Sequence, residues 1–358
     1  MKTNVDDSIV LALLSKNDSK DASAFLEDLL KLRRCGKTLI SIKKKSVLKI
    51  IDSDKLSDLD NLILSKINSD MTYSNQVISE IEDFIFCYHS DYNKDIENPR
   101  LSIDIKNYIN TNKPILESSV VLEDENDDLV YSVISKWFME NFSDMKNYHI
   151  HYEPEHGGGD RTNIRCNSLI IKKHNTFSIC DSDKSTPHCP VGSTAIKAKK
   201  VFTDSNLENN FLLLNVHEVE NLLPINLLIH KAREQQKPAL EFIENVTKIT
   251  PSAYLHYDFK EGFKFKDVYV TDGNIKNYWM PIYDSHPPTE AIKSKVRSGH
   301  LKNSSVIYNQ LSSMLNHAIE DLHSFDTSKI TPPILEEQWK LIGAQLYKWC
   351  LCSKPMQV

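Results

Sequence analysis

The chain is poor in glycine and has no long apolar run. It carries nine glycines in 358 residues, and no hydrophobic stretch approaches the ~18 residues that a membrane-spanning helix needs. The first eight residues include two aspartates and lack the charged-then-apolar pattern of a secretion signal. The seven cysteines are odd in number and widely scattered, so no disulfide framework is indicated. We therefore expect a cytoplasmic protein with reduced thiols and no membrane partner.

An excess of basic residues is also missing. The formal net charge is −6, from 43 Lys and Arg against 49 Asp and Glu. This balance argues against a protein that coats nucleic acid through its overall charge. It does not exclude an enzyme acting on nucleic acid, because a metal-dependent nuclease concentrates carboxylates at its centre and needs only local basic patches.

Residues 1–113 predict a mostly helical accessory domain. Within it, the segment from Lys31 to Lys49 holds eight basic residues and no acidic one. Two interpretations stay open, a solvated face or a patch that contacts phosphate or a partner. Residues 36–38 (Gly-Lys-Thr) resemble the end of a phosphate-binding loop, but Lys31 stands where that motif begins with glycine, and a helix precedes it. An ATPase in this chain is therefore excluded.

Strands and helices alternate from residue 114 to about 235. The predicted strands are Ser118–Leu122, Tyr148–Tyr152, Thr176–Cys180 and Phe211–Val216. An amphipathic helix at Leu129–Phe142 follows the first strand, and a helix from Leu222 to about Arg233 follows the last. This alternation predicts the α/β class, with a mainly parallel sheet between helices, and ligands bind such sheets beyond the carboxyl ends of the strands.

The remaining residues, 236–358, predict a mainly helical C-terminal region. Candidate helices are Ser304–Leu322 and Ile334–Cys350, and Val268–Val270 is a candidate strand. The chain is thus expected to have a central α/β domain at 114–235, flanked by mostly helical regions at 1–113 and 236–358.

Acidic residues follow three of the four predicted central strands, where each strand ends. They are Glu123 and Asp127, then Asp181 and Asp183, then Glu218 and Glu220. Because parallel strands end at one edge of a sheet, these side chains should converge, and uncompensated carboxylates repel one another. A divalent cation resolves the repulsion, and oxygen ligands favour Mg²⁺ or Mn²⁺ over Zn²⁺. Two groups of acids could hold two ions about 3.5–4 Å apart, a common arrangement for phosphodiester cleavage.

The ordered set of acids resembles the toprim domain, in particular toprim nucleases of the overcoming-lysogenisation-defect family and related bacterial anti-phage effectors. Residues 120–127 (VVLEDEND) match its strand, glutamate and later acid, with Asp124 where a glycine is usual. Gly157–Gly159 match its glycines, residues 181–183 (DSD) its Asp-x-Asp motif, and residues 217–221 (HEVEN) its later acids. The resemblance covers about residues 115–235, a third of the chain.

The resemblance also implies roles for individual residues. The implied catalytic residues are Glu123, Asp181, Asp183 and Lys260. The implied metal ligands are Glu123, Asp127, Asp181, Asp183, Glu218 and Glu220. Glu123 is also a candidate general base, and Lys260 would stabilise the transition-state phosphate, with an ordinary surface lysine as the alternative interpretation.

The expected function is metal-dependent hydrolysis of a phosphodiester in DNA or RNA, transfer RNA included. By the same resemblance, the chain would be the toxic effector of a defence system and would be controlled by a separate ATPase or sensor protein. A non-catalytic toprim-fold module that binds nucleic acid or a partner is the alternative. Whether the chain forms a homo-oligomer is left open.

Overall fold

The structure is a computed structural model that describes residues 2–81, 84–93, 101–110, 116–143, 145–269, 273–285, 294, 298 and 305–357. The chain is α/β, as predicted, and contains two four-stranded parallel sheets that lie among helices. Within the described ranges, no helix has both the length and the apolar character needed to cross a bilayer.

The N-terminal region is built on a parallel sheet that its sequence did not predict. The strands are β1 (Lys2–Val5), β2 (Leu39–Ser41), β3 (Phe84–Tyr88) and β4 (Leu101–Asp104). Their order is β2-β1-β3-β4, and every neighbouring pair is parallel. The helices are α1 (Asp7–Leu14), α2 (Ser19–Arg34), α3 (Lys44–Asp52) and α4 (Asp58–Glu80). The helical prediction thus missed strands of three to five residues, which are too short to leave a clear alternation in the sequence.

The central region has the predicted parallel sheet, with the strands β5 (Ser118–Leu122), β7 (Glu153–His156), β8 (Asn175–Cys180) and β9 (Phe211–Leu213). Their order in the sheet is β7-β5-β8-β9. Its helices are α5 (Glu125–Phe142), α6 (Thr162–Ile171) and α7 (Ser193–Asp204). Every residue of β5 and of β8 is buried, which explains why these two strands have the clearest apolar and β-branched sequences.

The second predicted strand, Tyr148–Tyr152, is wrong in its placement. Residues Tyr148–Ile150 form β6, which pairs antiparallel with β12 (Leu351–Ser353), outside the central sheet. The sheet strand is β7, a short segment with charged residues and a proline, Pro154. Such a sequence suits the edge position that β7 occupies, because an edge strand tolerates a residue without an N–H.

The C-terminal region is mainly helical, as predicted. The helix predicted from Leu222 to about Arg233 in the central region is α8 (Ile225–Lys231). The helices of the C-terminal region are α9 (Lys237–Ile249), α10 (Ser252–His256), α11 (Phe265–Tyr269), α12 (Gly273–Ser285), α13 (Ser312–Leu322) and α14 (Pro333–Cys350). The strand predicted at Val268–Val270 is wrong, because Val268 lies in α11, while Val270 falls outside the described residues. The helix predicted from Ser304 begins at Ser312, since Val306–Tyr308 form β11, which pairs with β10 (Phe263–Lys264).

The last helix, α14, is what joins the C-terminal region to the central sheet. It packs along α5, where the rings of Trp339 and Trp137 meet edge to face with centroids 5.5 Å apart. The indole N–H of Trp339, which is fully buried, donates to the carbonyl oxygen of Leu222 at 2.9 Å. Leu222 follows the predicted acids Glu218 and Glu220, so this helix supports the segment that carries them.

The basic segment from Lys31 to Lys49 does not form one solvated face. Lys37 Nζ pairs with Glu117 and Glu153, at 3.0 and 2.7 Å. Arg33 is buried and donates to the carbonyl oxygen of Lys354 at 3.0 Å. Two of its eight charges are therefore used inside the fold, whereas Lys31, Lys43, Lys44, Lys45 and Lys49 are exposed.

Candidate functional site

The carboxyl ends of three central strands deliver the predicted acids to one edge of the sheet. Glu123 directly follows β5, and the Asp181–Asp183 segment directly follows β8. Glu218 and Glu220 lie beyond β9, at the start of a short 3₁₀ turn over Val219–Leu222. The strands are parallel, so the acids face a common space even though they come from distant parts of the chain.

This space is a cleft of about 390 Å³ that contains all seven predicted site residues. Its lining consists of Glu123, Asp124, Asn126, Asp127, Gly159, Asp181, Asp183, Glu218, Val219, Glu220, Lys260 and Asn316. Six of these side chains are the predicted metal ligands and Lys260 is the predicted lysine. The assignment of a metal or of catalysis to them stays a prediction.

The glycines after β7 hold the backbone of Glu123. The N–H of Gly157 donates to the carbonyl oxygen of Leu122 at 2.7 Å, and the N–H groups of Gly158 and Gly159 both donate to that of Glu123 at 3.2 Å. Gly158 and Gly159 have φ values of 71° and 60°, a conformation that glycine adopts without strain. The glycine run therefore positions the glutamate at the end of the neighbouring strand.

Asp124 and Asp127 form a capping box at the start of α5. The Asp124 side chain accepts from the N–H of Asn126 at 3.0 Å, and Asp127 Oδ2 accepts from the N–H of Asp124 at 3.0 Å. Asp124 thus has a structural reason to stand where toprim domains usually have glycine. Asp127 is 6% exposed, and the use of its Oδ2 as a cap leaves it less available as a ligand than the other acids.

Asp183 adopts an unusual backbone conformation that aims it into the cleft. Its φ is 53°, and its N–H donates to the carbonyl oxygen of His217 at 3.0 Å. The neighbouring Ser182 is fully buried and its N–H donates to the carbonyl oxygen of Val216 at 3.0 Å. A Cβ on Gly192 would lie 1.9 Å from Asp183 Oδ2, so the lack of a side chain at Gly192 makes room for this carboxylate.

Lys260 contacts two of the predicted metal ligands. Its Nζ lies 3.1 Å from Glu220 Oε1 and 3.5 Å from Glu218 Oε1. Asn221 fixes the relation between the two segments, because its Nδ2 donates to the carbonyl oxygens of Tyr254 and Tyr257 at 2.7 and 2.8 Å. In this structure, the ammonium group therefore stands between two carboxylates where a second cation was expected.

Several carboxylate oxygens in the cleft are left unsatisfied. Glu123 Oε1, Glu218 Oε2 and Glu220 Oε2 are buried and have no hydrogen-bond partner within the described part of the chain. Buried polar atoms without a partner are rare in folded proteins because each costs free energy. Oxygen atoms of this kind suit a hard cation such as Mg²⁺, so the residues present fit the ion that the resemblance implies.

The crowding and burial of the acids also raise their pKa values. Burial, followed by the charges of Glu123 and Asp183, raises the pKa of Asp181 to about 9. Burial also raises the pKa of Asp127 to about 7, although the hydrogen bond from the Asp124 backbone opposes the rise. The pKa of Glu123 is raised by burial and by the charge of Asp183. A bound cation would favour the ionised form of each of these groups.

One group of potential ligand atoms at the cleft includes His217 and Asp258, which were not among the predicted site residues. His217, Glu218 and Asp258 each offer a ligand atom within 4.8 Å of the others, and His217 Nε2 lies 3.8 Å from Asp258 Oδ2. Glu123, Asp181 and Asp183 form no such group in the described residues. His217 lies in the predicted HEVEN segment and Asp258 is two residues before Lys260, so proximity in sequence was the available signal.

Comparisons of the chain with protein-family models, with curated proteins and with solved structures give no match. The toprim resemblance therefore depends on the residues of this chain and on the site that they form.

Proposed function

We propose that the chain is a Mg²⁺- or Mn²⁺-dependent nuclease of the toprim type that hydrolyses a phosphodiester in DNA or RNA. The observation that carries the proposal is one cleft that collects seven residues predicted from distant segments and contains three buried carboxylate oxygens without partners among the described residues. Keeping these carboxylates together costs free energy of folding. A bound cation that relieves their repulsion is the simplest physical reason for the arrangement.

The residues of the cleft divide the chemistry between them. Glu123, Asp181 and Asp183 would hold the ion, which supplies a Lewis acid beside the scissile phosphate. Glu123, whose backbone is fixed by the glycine run, is also the candidate to take a proton from the attacking water. Lys260 presents a positive charge at the same edge, where it can approach the phosphate as negative charge builds on it.

Basic side chains near the cleft offer contacts for a nucleic-acid backbone. Lys184 follows Asp183 in the loop, and Lys197 and Lys199 are exposed on α7. Lys200, on the same helix, is instead paired with Asp204 at 2.8 Å. A few local lysines suffice to position a phosphate backbone on a protein whose net charge is negative.

The cellular role remains a proposal by resemblance alone. We infer a cytoplasmic toxic effector of an anti-phage system that is restrained or triggered by a separate ATPase or sensor protein. The competing function is a metal-stabilised module that binds nucleic acid or a partner without cutting it. A homo-oligomer is compatible with either function.

The test is cleavage of labelled DNA, messenger RNA and transfer RNA by the full chain with Mg²⁺ or Mn²⁺, and with EDTA as the metal-free control. We expect Glu123→Gln and Asp181→Asn to lower the cleavage rate by about a hundredfold or more, since each removes a charged ligand of the ion. The matched control is Glu125→Gln, an exposed acid in the same segment that does not line the cleft.

The outcomes separate the two functions. Cleavage that survives both cleft substitutions would exclude the catalytic role. Nucleic-acid binding by the wild-type chain, with no cleavage under any metal, would favour the binding module.

A further inference from the structure

A second group of metal-ligating side chains lies at the carboxyl edge of the N-terminal sheet. His89 directly follows β3, Asp91 lies two residues further on, and Asp18 lies in the turn between α1 and α2. Each side chain offers one ligand atom, and these three atoms all lie within 4.8 Å of one another. The fold thus joins two distant segments at a point that resembles the central site in its position on a parallel sheet.

Of these three residues, His89 provides the evidence for a bound ligand. Its side chain is fully buried, and Nε2 has no hydrogen-bond partner among the residues that the structure describes. The nearby Asp18 Oδ1 is 3.9 Å away, too far for a hydrogen bond. A buried polar atom left in this way costs about 1–3 kcal/mol. A cation between the imidazole and the carboxylate would remove that cost.

Asp18 is turned toward the imidazole and away from its own helix. It occupies the N-cap position of α2, where an aspartate usually accepts from a helix N–H, yet its side chain makes no such bond in the described structure. Oδ2 instead accepts from the hydroxyl of Tyr92 at 2.8 Å, and the rings of Tyr92 and His89 lie 5.1 Å apart. The carboxylate is therefore held in place beside the ring.

The imidazole is held in place as well. The backbone N–H of His89 donates to the hydroxyl of the buried Ser8 at 3.1 Å, and Nδ1 accepts from the N–H of Asp91 at 3.3 Å. In a neutral ring, this second contact places the proton on Nε2. Binding of an ion at Nε2 moves that proton to Nδ1 and opens the long contact to the Asp91 backbone.

In a comparable group elsewhere in the chain, a lysine compensates the carboxylates without metal, although His151 Nε2 also lacks a hydrogen-bond partner among the described residues. Glu117 and Glu153 flank a histidine, but Lys37 Nζ contacts both carboxylates, at 3.0 and 2.7 Å, and supplies the cation itself. At the N-terminal edge, Lys106 Nζ contacts Asp91 at 2.7 Å on the exposed rim. The carboxylate of Asp18 accepts from hydroxyl groups, so its charge is less fully compensated.

We propose that Asp18, His89 and Asp91 bind a divalent transition-metal ion of the Zn²⁺ class. Imidazole combined with carboxylates suits such ions, whereas Mg²⁺ prefers ligands that are all oxygen. The ion ties the end of β3 to the start of α2, which gives it a structural role. The inference does not depend on the proposed nuclease activity.

The test uses Co²⁺ as a spectroscopic probe in the full-length chain, with Glu123→Gln, Asp181→Asn and Asp258→Asn introduced to weaken the central cleft and the adjacent His217 group. We expect this background protein to bind one Co²⁺ with visible absorption bands and to release it to Zn²⁺. Asp18→Asn, which keeps the size of a partly exposed side chain, should lower the Co²⁺ affinity at least about tenfold. His89→Gln should do the same if the buried substitution folds, as judged by circular dichroism.

The matched control is His151→Gln, at the group that Lys37 already compensates, and it should leave Co²⁺ binding unchanged. A background protein that binds no Co²⁺ would overturn the proposal. Unchanged affinity in a folded Asp18→Asn variant would overturn it as well. Loss of binding in His151→Gln, with retention in Asp18→Asn, would assign the ion to the group of Glu117, His151 and Glu153 and would also overturn the proposal.

Discussion

Acidic side chains lie at the carboxyl edges of both parallel sheets, and the two edges differ in how far neighbouring groups compensate the negative charges. At the N-terminal edge, Asp7 pairs with Lys43 at 2.7 Å and accepts from Ser46 at 2.6 Å. Although burial opposes ionisation, these contacts lower the pKa of Asp7. At the central edge, the pKa of Asp181 is raised to about 9 by burial and by its acidic neighbours. A compensated acid such as Asp7 stabilises the fold. Acids that repel one another, as at the central edge, are instead stabilised when a cation binds.

The two edges also differ in which buried polar atoms lack a hydrogen-bond partner. In the described residues, the central cleft leaves three carboxylate oxygens and Nδ1 of the adjacent His217 without partners, and the N-terminal edge leaves an imidazole nitrogen of His89. The larger set of carboxylate oxygens at the central cleft favours a hard cation, and the imidazole of His89 favours a softer one. The same sheet architecture thus predicts different ions at its two occurrences in one chain.

The largest expected effect is on the pH dependence of stability, because burial and acidic neighbours raise the pKa of Asp181 to about 9. Since its folded pKa of about 9 exceeds its unfolded value, the folded state binds more protons in between, and stability falls as pH rises from about 4 to 9. Added Mg²⁺ should therefore raise the melting temperature more at pH 8.5 than at pH 5. Thermal melts with Mg²⁺ or EDTA measure this, and Asp181→Asn should flatten the difference.

The pKa of Asp7 is lowered rather than raised, so its effect on the pH dependence of stability is opposite to that of Asp181. Its lowered pKa contributes stability that is present above its ordinary value and is lost as pH falls through the folded value. Asp7→Asn should therefore remove stability at neutral pH and leave the Mg²⁺ effect intact. Equal Mg²⁺ shifts at both pH values in the wild-type chain would contradict the comparison.

Next in size is the effect of Gly192→Ala on cleavage. The new Cβ would lie 1.9 Å from Asp183 Oδ2 and 2.6 Å from its Cγ, so the carboxylate must move. Displacement of a reacting group by about 1 Å can cost a hundredfold in rate, and we expect a loss of that order. The control is Gly273→Ala, whose Cβ meets Asn277 at an ordinary 3.6 Å. If the two alanine variants cleave equally well, Asp183 is not needed in its observed position.

The smallest expected effect is on ion binding in Lys260→Met. Removing the ammonium group frees Glu218 and Glu220 to bind a cation, and a unit charge at ~4 Å is worth about 1 kcal/mol even in water. We expect Mn²⁺ to bind at least about fivefold more tightly to this variant, while cleavage declines. Calorimetric titration measures the affinity and the number of ions. Lys264→Met, which removes a lysine paired with Glu261, is the control. Unchanged Mn²⁺ binding would show that Lys260 does not compete with the ion.

Much of the central site could be predicted because its signals are local in sequence. β5 and β8 are fully buried strands, and each is followed at once by an acid, so the parallel arrangement implied convergence. β7 was misplaced because an edge strand with charges and a proline has no apolar pattern. The N-terminal sheet was missed because its strands are short and lie between long helices.

The sequence by itself determined the class of the fold and the acids of the cleft, since burial of both sheet faces demands apolar strands and charge can then collect only at their ends. The tertiary structure decided the use of each group. It committed Asp127 to a helix cap, placed Lys260 between Glu218 and Glu220, and brought Asp18 to His89. The last two relations depend on distances of 3–4 Å between segments remote in the chain, and no local pattern of residues encodes them.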